Sequence, residues 1–248
     1  MPISAKAFQD WLHQAAPSAS TADICRISGI KRTTLAQQLV RGKVTETTVV
    51  SISRALGLSP LAALASFEQF AELASPAPPP TPAELVSQVA TMDLLRVVIS
   101  RSSPVQGGDG EEGGSVLPAL SPAPHATSVR NWVDAVDDGE LRHRVSAATG
   151  VAPQNYSAQL TANRLSPELA FATARAAGVG LTGGLVATGL ITEDEAGWPP
   201  GAKQSALEAL SNGELTALAG ERLQALGKSL RRQEQEQAQT EKIWEHLG

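Results

Sequence analysis

Apolar residues recur at helical spacing through most of the chain, in short segments that glycines and prolines separate. In STADICRIS, residues 20–28, Ile24, Cys25 and Ile27 are available for one core-facing side. In the next segment Leu35 and Leu39 lie one helical turn apart. This period is typical of amphipathic helices, whereas strands alternate every second residue. We therefore predict an all-α protein.

The residues between these segments predict where the helices begin and end. Ser20, three residues before Asp23, is placed to cap the first helix, and Gly29 is placed to end it in a left-handed conformation. A second helix is expected to begin near Lys31 and to stop at Gly42, and Thr45 is expected to cap a third. Two short helices joined by a glycine turn are typical of a helix-turn-helix.

Two proline- or glycine-rich segments divide the chain. Residues 75–82, SPAPPPTP, predict a stiff break, and residues 102–128 predict a flexible linker because they are rich in Gly, Ser and Pro. Between them, residues 81–101 predict a helix that Thr81 and Glu84 begin with a capping box. The predicted organisation is a helix-turn-helix domain (1–74), a proline break with its following helix (75–101), a linker (102–128), a second helix-turn-helix-like domain (129–195), a second break and helix (196–230), and a charged helical tail (231–248).

An internal similarity appears when the chain is aligned with itself at an offset of 121 residues. Thirteen of 91 positions are then identical without a gap, among them Trp11 with Trp132, Gly29 with Gly150, and Arg54 with Arg175. The matches fall on turn glycines, apolar helix positions and the proline break, which are positions that a fold constrains. We interpret them as two tandem copies of one helical unit.

Residues 20–60 carry a resemblance to a known family. With its glycine, apolar residue and TLA pattern, followed by Gly42 and the TETTVV helix, this stretch resembles the lambda-repressor-like (Cro family) helix-turn-helix. It is most similar to the variant in immunity repressors of actinobacterial phages and prophages. It departs from the usual pattern at Gln38, which occupies a position that is commonly apolar.

The resemblance implies that the helix beginning near Lys31 enters the major groove of double-stranded DNA. Arg32 is suited to a guanine, Gln37 to an adenine, and Thr33 to a base edge or a thymine methyl group. Lys31, Arg41 and Lys43 are suited to phosphates, as is Thr21 at its helix terminus. The expected DNA-binding residues are Thr21, Lys31, Arg32, Thr33, Thr34, Gln37, Arg41 and Lys43.

The second copy keeps the glycine turn but has few cations. Its segment GVAPQNYSAQLTANR stands where the first copy has GIKRTTLAQQLVRGK. A weaker DNA-reading surface and a surface for protein contact both fit these residues. The candidates for a second DNA-binding set are Arg142, Arg144, Gln154, Asn155, Ser157, Asn163 and Arg164.

Charge and composition limit the remaining classes. The chain has a net charge of −5, yet residues 1–75 hold seven Lys/Arg against five Asp/Glu. One cysteine excludes an intramolecular disulfide, and the apolar runs are too short to cross a bilayer, so a cytoplasmic location without membrane contact is expected. The four histidines have no metal-ligand spacing, and no nucleophile pattern occurs, so we expect neither an enzyme nor a metal or other cofactor.

These inferences favour a sequence-specific DNA-binding repressor of transcription, of the phage or prophage immunity type. The alternative is a protein-interaction regulator of the antitoxin kind that uses the same scaffold for protein contact. A partner protein, including a second copy of the chain, is also expected to find its surface on the second copy or on the tail.

Overall fold

The computed structural model describes residues 3–76, 78–102 and 119–247, with side chains through residue 240. The part of the chain that it describes is predominantly helical, which confirms the predicted all-α class. The helices are α1 (Ala5–Ala15), α2 (Thr21–Ser28), α3 (Arg32–Val40), α4 (Glu46–Ala55), α5 (Pro60–Ala65), a 3-10 helix (Glu68–Ala74), α6 (Pro82–Ser87), α7 (Thr91–Ser102), α8 (Ser128–Val136), α9 (Leu141–Thr149), α10 (Pro153–Thr161), α11 (Pro167–Ala177), α12 (Leu181–Ala187), α13 (Ala202–Glu208) and α14 (Asn212–Leu247).

A two-strand ladder, which the sequence pattern did not predict, joins the start of the first helical region to the end of α3. Strands β1 (Ile3–Ser4) and β2 (Lys43–Val44) pair antiparallel, with Ile3 opposite Val44. Both apolar side chains are fully buried. Two-residue strands carry no alternation that a sequence pattern could reveal.

Local capping residues set several helix starts. Ser20 Oγ accepts a hydrogen bond from the Asp23 backbone N–H at 3.2 Å, and Gly29 ends α2 with a φ of 71°. Thr81 and Glu84 form the predicted capping box at the start of α6. Thr45 occupies the N-cap position of α4, but its side chain makes no capping bond to a helix N–H.

The predicted helix over residues 81–101 is two helices. The chain leaves helical geometry after Ser87 and resumes it at Thr91. Gln88 between them is fully buried, and its side-chain amide donates to the carbonyl of Ser128 at 3.2 Å. The amphipathic period continues across this break, so the pattern alone indicated one helix.

The described residues form two compact units, each assembled from separate stretches of the chain. The first consists of residues 3–88 and 122–203, and the second of residues 89–102, 119–121 and 204–247. Most of the predicted linker, residues 103–118, lies outside the described residues. The last part of the predicted linker, residues 119–128, is described, and its backbone donates to side chains: the N–H of Ala123 donates to Glu193 Oε1 at 3.0 Å.

Two aromatic cores lie within the first unit. Trp11 contacts Phe8 and Phe67 with ring centroids 5.8 and 5.9 Å apart. Trp132 is fully buried in a second cluster with Tyr156 and with aliphatic residues of α8, α9, α10 and α11.

The bounds of the helices recur along the chain. Helices α3 and α10 are offset by 121 residues at both ends, and α7 and α14 begin 121 residues apart. Left-handed residues recur in the same way: Gly29 and Gly150 have φ values of 71° and 72°, and Gly42 and Asn163 have 71° and 50°. The offset that aligns the sequence therefore also relates these elements.

The charged tail predicted for residues 231–248 continues α14 without interruption as far as Leu247. Side chains 231–240 are exposed, and the apolar residues at the end of the tail lie outside the described side chains. Among the described residues, no helix combines the length and apolarity that crossing a membrane requires.

Candidate nucleic-acid interface

Helices α2 and α3 meet at a glycine turn that orients α3 outward. Ile24 and Cys25 bury the inner side of α2, and Leu35 buries that of α3 at 1% exposure. Gly29 adopts the left-handed conformation between them, which glycine adopts without steric cost. The opposite side of α3 is left in solvent.

The outward side of α3 carries small and polar side chains. Thr33, Ala36, Gln37 and Val40 share it, and all four are exposed. Val40, which lies outside the set predicted to bind DNA, is 89% exposed. An apolar side chain this exposed matches the thymine methyl group, the one apolar feature on a base edge in the major groove.

Four cations lie at the two ends of α3, and we call them the basic surface: Lys31, Arg32, Arg41 and Lys43. All four are exposed, and none forms an ion pair within the described residues. Thr21 at the start of α2 and Thr34 on α3 are exposed as well. Every residue of the first predicted set therefore lies at the surface.

Gln38 departs from the usual pattern because it holds the following helix. Its Oε1 accepts hydrogen bonds from the backbone N–H of Thr45 at 3.3 Å and from Thr48 Oγ1 at 3.0 Å. The side chain thus ties α3 to the start of α4. The sequence identified Gln38 as unusual without revealing this role.

Helices α9 and α10 form a second pair around Gly150. Val145, Tyr156 and Leu160 bury the inner side of this pair. The Tyr156 hydroxyl lies 2.8 Å from Thr173 Oγ1, and burial raises the pKa of the tyrosine. The local geometry resembles that of α2 and α3.

The cations predicted for the second set are engaged with carboxylates of the protein. Arg142 lies 3.5 Å from both Asp134 and Asp137, and Arg144 lies 2.9 Å from Asp138. Hydrogen bonding to Arg144 lowers the pKa of Asp138. We call Asp137, Asp138 and Glu140 the acidic turn, since they join α8 to α9.

The remaining residues of the second set divide into exposed and structural ones. Gln154, Asn155 and Arg164 are exposed, and Ser157 is half-buried. Asn163 instead holds the start of α8, because its Oδ1 accepts the backbone N–H of Val129 at 2.9 Å. Asn163 has a positive φ, as Asn tolerates better than most residues, so an asparagine at this position has a structural cause.

Chemistry of other kinds was also sought in the described residues. They contain no group of three or more His, Cys, Asp or Glu side chains that could hold a metal ion. Cys25 is buried in the core beside Ile24. The first glycine of GVGLTG, residues 178–183, ends α11 with a φ of 70°, and the last serves packing, because a Cβ on Gly183 would collide with Glu84 and approach Trp132.

Comparison with known proteins finds no matching family model, no matching curated protein and no matching solved structure.

Proposed function

We propose that the protein is a sequence-specific DNA-binding repressor of transcription, of the phage or prophage immunity type, which reads double-stranded DNA with α3. The observation that carries this proposal is the free basic surface at the ends of α3. Four cations that form no ion pair with the residues described in the structure flank a side made of threonine, alanine, glutamine and valine. Phosphate contacts position such a helix, and contacts to base edges select the sequence.

The surroundings of the basic surface support this proposal. The inner side of α3 is buried, so the helix presents a fixed side rather than a mobile one. The N-terminus of α2, with Thr21, adds backbone N–H groups that suit a phosphate. Occupying an operator in this way excludes polymerase without any cofactor.

The second pair, α9 and α10, is assigned a supporting role rather than a reading one. Arg142 and Arg144 are neutralised by aspartates, and the acidic turn lies where the first pair has residues 16–19, which are uncharged. Negative charge at that place repels phosphates. Counterion release, the main source of nonspecific DNA affinity, is therefore weak on this surface.

A protein-interaction regulator of the antitoxin kind is the second candidate. The acidic turn and the few free cations of the second pair favour it, because such a surface suits protein contact better than DNA. Under this alternative the basic surface binds an acidic protein instead of phosphates.

Selection of bound fragments from a random DNA pool, using the full chain, separates the two candidates. The repressor proposal predicts an enriched sequence motif that Arg32→Ala changes at particular positions. The matched control is Arg26→Ala on α2, an exposed arginine that is paired with Asp23, and it should leave the motif unchanged. Absence of any enriched sequence would favour the protein-interaction candidate.

A further inference from the structure

We call residues 3–102 the first half of the chain and residues 119–247 the second half. Within the first unit, two arginines that lie 121 residues apart in sequence each bind a carboxylate of the opposite half. Arg54, near the end of α4, donates to both carboxylate oxygens of Glu195 at 2.7 Å. Arg175, near the end of α11, likewise donates to both carboxylate oxygens of Glu72. Each half thus gives an arginine to the other half and receives one from it.

The second unit shows a stricter reciprocity, in which donors and acceptors both correspond at the offset of 121 residues. In the first unit only the arginines correspond, because Glu195 aligns with Ala74 and Glu72 with Glu193. Arg101 of α7 donates to the carbonyl of Leu210 at 2.8 Å, and Arg222 of α14 donates to the carbonyl of Val89. Arg101 and Arg222 are 121 residues apart, as are Val89 and Leu210. When one residue contacts a second, and the equivalents of both residues in the opposite halves make the same contact, the interface is two-fold and isologous.

Buried apolar and polar contacts lie alongside the ion pairs of the first unit. The rings of Phe70 and Phe171 meet edge to face with centroids 5.2 Å apart. Trp132 Nε1 donates to Glu84 Oε1 at 3.1 Å, and both residues are buried. Aromatic residues are enriched at the core of protein interfaces, so the contact between Phe70 and Phe171 is of the kind that such a core contains.

We propose that the chain is an intramolecular dimer, in which each half is the docking partner of the other. The reciprocal arginines identify the occupant of the surface, since each has its carboxylate or carbonyl partner within the same chain. The contacts between the halves, rather than the segment at 103–118 that connects them, then hold the two helix pairs together. This inference does not depend on DNA binding.

The experiment uses the full chain with a specific protease site inserted between Gly110 and Glu111, cleaved after folding. Size-exclusion chromatography and native mass spectrometry should find the two fragments together in a one-to-one complex, with the mass of one chain. Separation of the fragments would overturn the proposal. A mass of two chains before cleavage would also overturn it and assign the surface to a second copy.

Charge reversal tests the reciprocal contacts themselves. In the cleaved protein, Arg175→Glu should raise the dissociation constant of the two fragments severalfold, and combining it with Glu72→Arg should restore most of the affinity. The matched control reverses the local pair within α2, with Asp23→Arg and Arg26→Glu, and should leave the dissociation constant unchanged. Circular dichroism on the uncleaved variants verifies that each folds. A reversal at Arg175 without effect, or one that Glu72→Arg does not rescue, would contradict the proposal.

Discussion

The two helix pairs of this chain correspond in the position of the second helix and of the turn glycine, but they differ in how their cations are paired. Gly29 and Gly150 turn both pairs with nearly the same φ, and α3 and α10 have the same length. Around α3 the cations are free, whereas Arg142 and Arg144 of the second pair are bound to aspartates. The scaffold is therefore separable from the surface chemistry, and a helix-turn-helix geometry alone does not imply DNA binding.

The difference extends to the cores beneath the two pairs. Trp11 packs against Phe8 and Phe67 of its own half, while Trp132 also contacts Glu84 of the other half. Helix α12 has glycines at 183 and 184, where a Cβ would collide with Glu84 or with Trp132. The second core thus carries part of the contact between the halves.

The largest expected difference between the two cores is in stability. Trp132→Ala should lower the free energy of unfolding by about 3–5 kcal/mol. It should cost more than Trp11→Ala, because it also leaves the buried Glu84 carboxylate without its indole donor. Urea denaturation of the two variants measures the difference, and equal losses would mean that the Glu84 contact contributes nothing.

Base selection should distinguish the two outward surfaces next. Arg32→Ala should cost about 1–3 kcal/mol at one base position, and Gln37→Ala should do so at another, because each removes a side chain that we propose to make a bidentate contact. Gln154→Ala, at the position that corresponds to Thr33, is the control and should leave base preference unaltered. Binding measured across single-base variants of the selected site provides the comparison. Uniform weakening by Arg32→Ala would contradict its role at a base edge.

Phosphate contact should also be confined to the first pair. Lys43→Ala should weaken binding to all sequences alike. It should also make the slope of log K against log salt concentration shallower by about 0.9. Arg164→Ala changes the corresponding residue of the second pair and should leave the slope unchanged. Affinities measured across a salt series test both. An equal effect of Arg164→Ala would mean that the second pair also lies on DNA.

The smallest expected effect concerns acid and the contact between Arg54 and Glu195. Hydrogen bonding from Arg54 lowers the pKa of Glu195 below its ordinary value of 4.5, although burial opposes this. The ionised carboxylate of Glu195 therefore stabilises the fold fully at pH values above the ordinary pKa of 4.5. This contribution is lost as the pH falls through the lowered pKa of the folded protein. Arg54 is partly exposed, so the contribution should be below about 1 kcal/mol.

Unfolding free energies of the natural chain and of Glu195→Gln, measured between pH 7 and pH 3, test this contribution. The two proteins should differ at neutral pH and converge in acid. Arg54→Gln should remove the same part of the pH dependence. A difference that persists at the lowest pH would contradict the assignment.

Local sequence determined where several helices of this protein begin and end. Ser20, Gly29, Thr81 and Gly150 act on backbone groups within a few residues of themselves, so their effects are readable from the chain. The exposure of the predicted DNA-binding residues around α3 follows from the same helical period. The proposed function of α3 therefore rests mainly on information in the sequence.

Tertiary structure alone decided how the charged and polar residues are used. Nothing local indicates that Arg54 and Arg175 reach carboxylates of the opposite half, that Asn163 holds the start of α8, or that Gln88 interrupts the helix predicted over 81–101. Whether a charged group or a side-chain amide has an ion-pair or hydrogen-bond partner depends on groups distant in sequence. The helical period is set by the backbone nearby, whereas ion pairing is set by which surfaces the fold brings together.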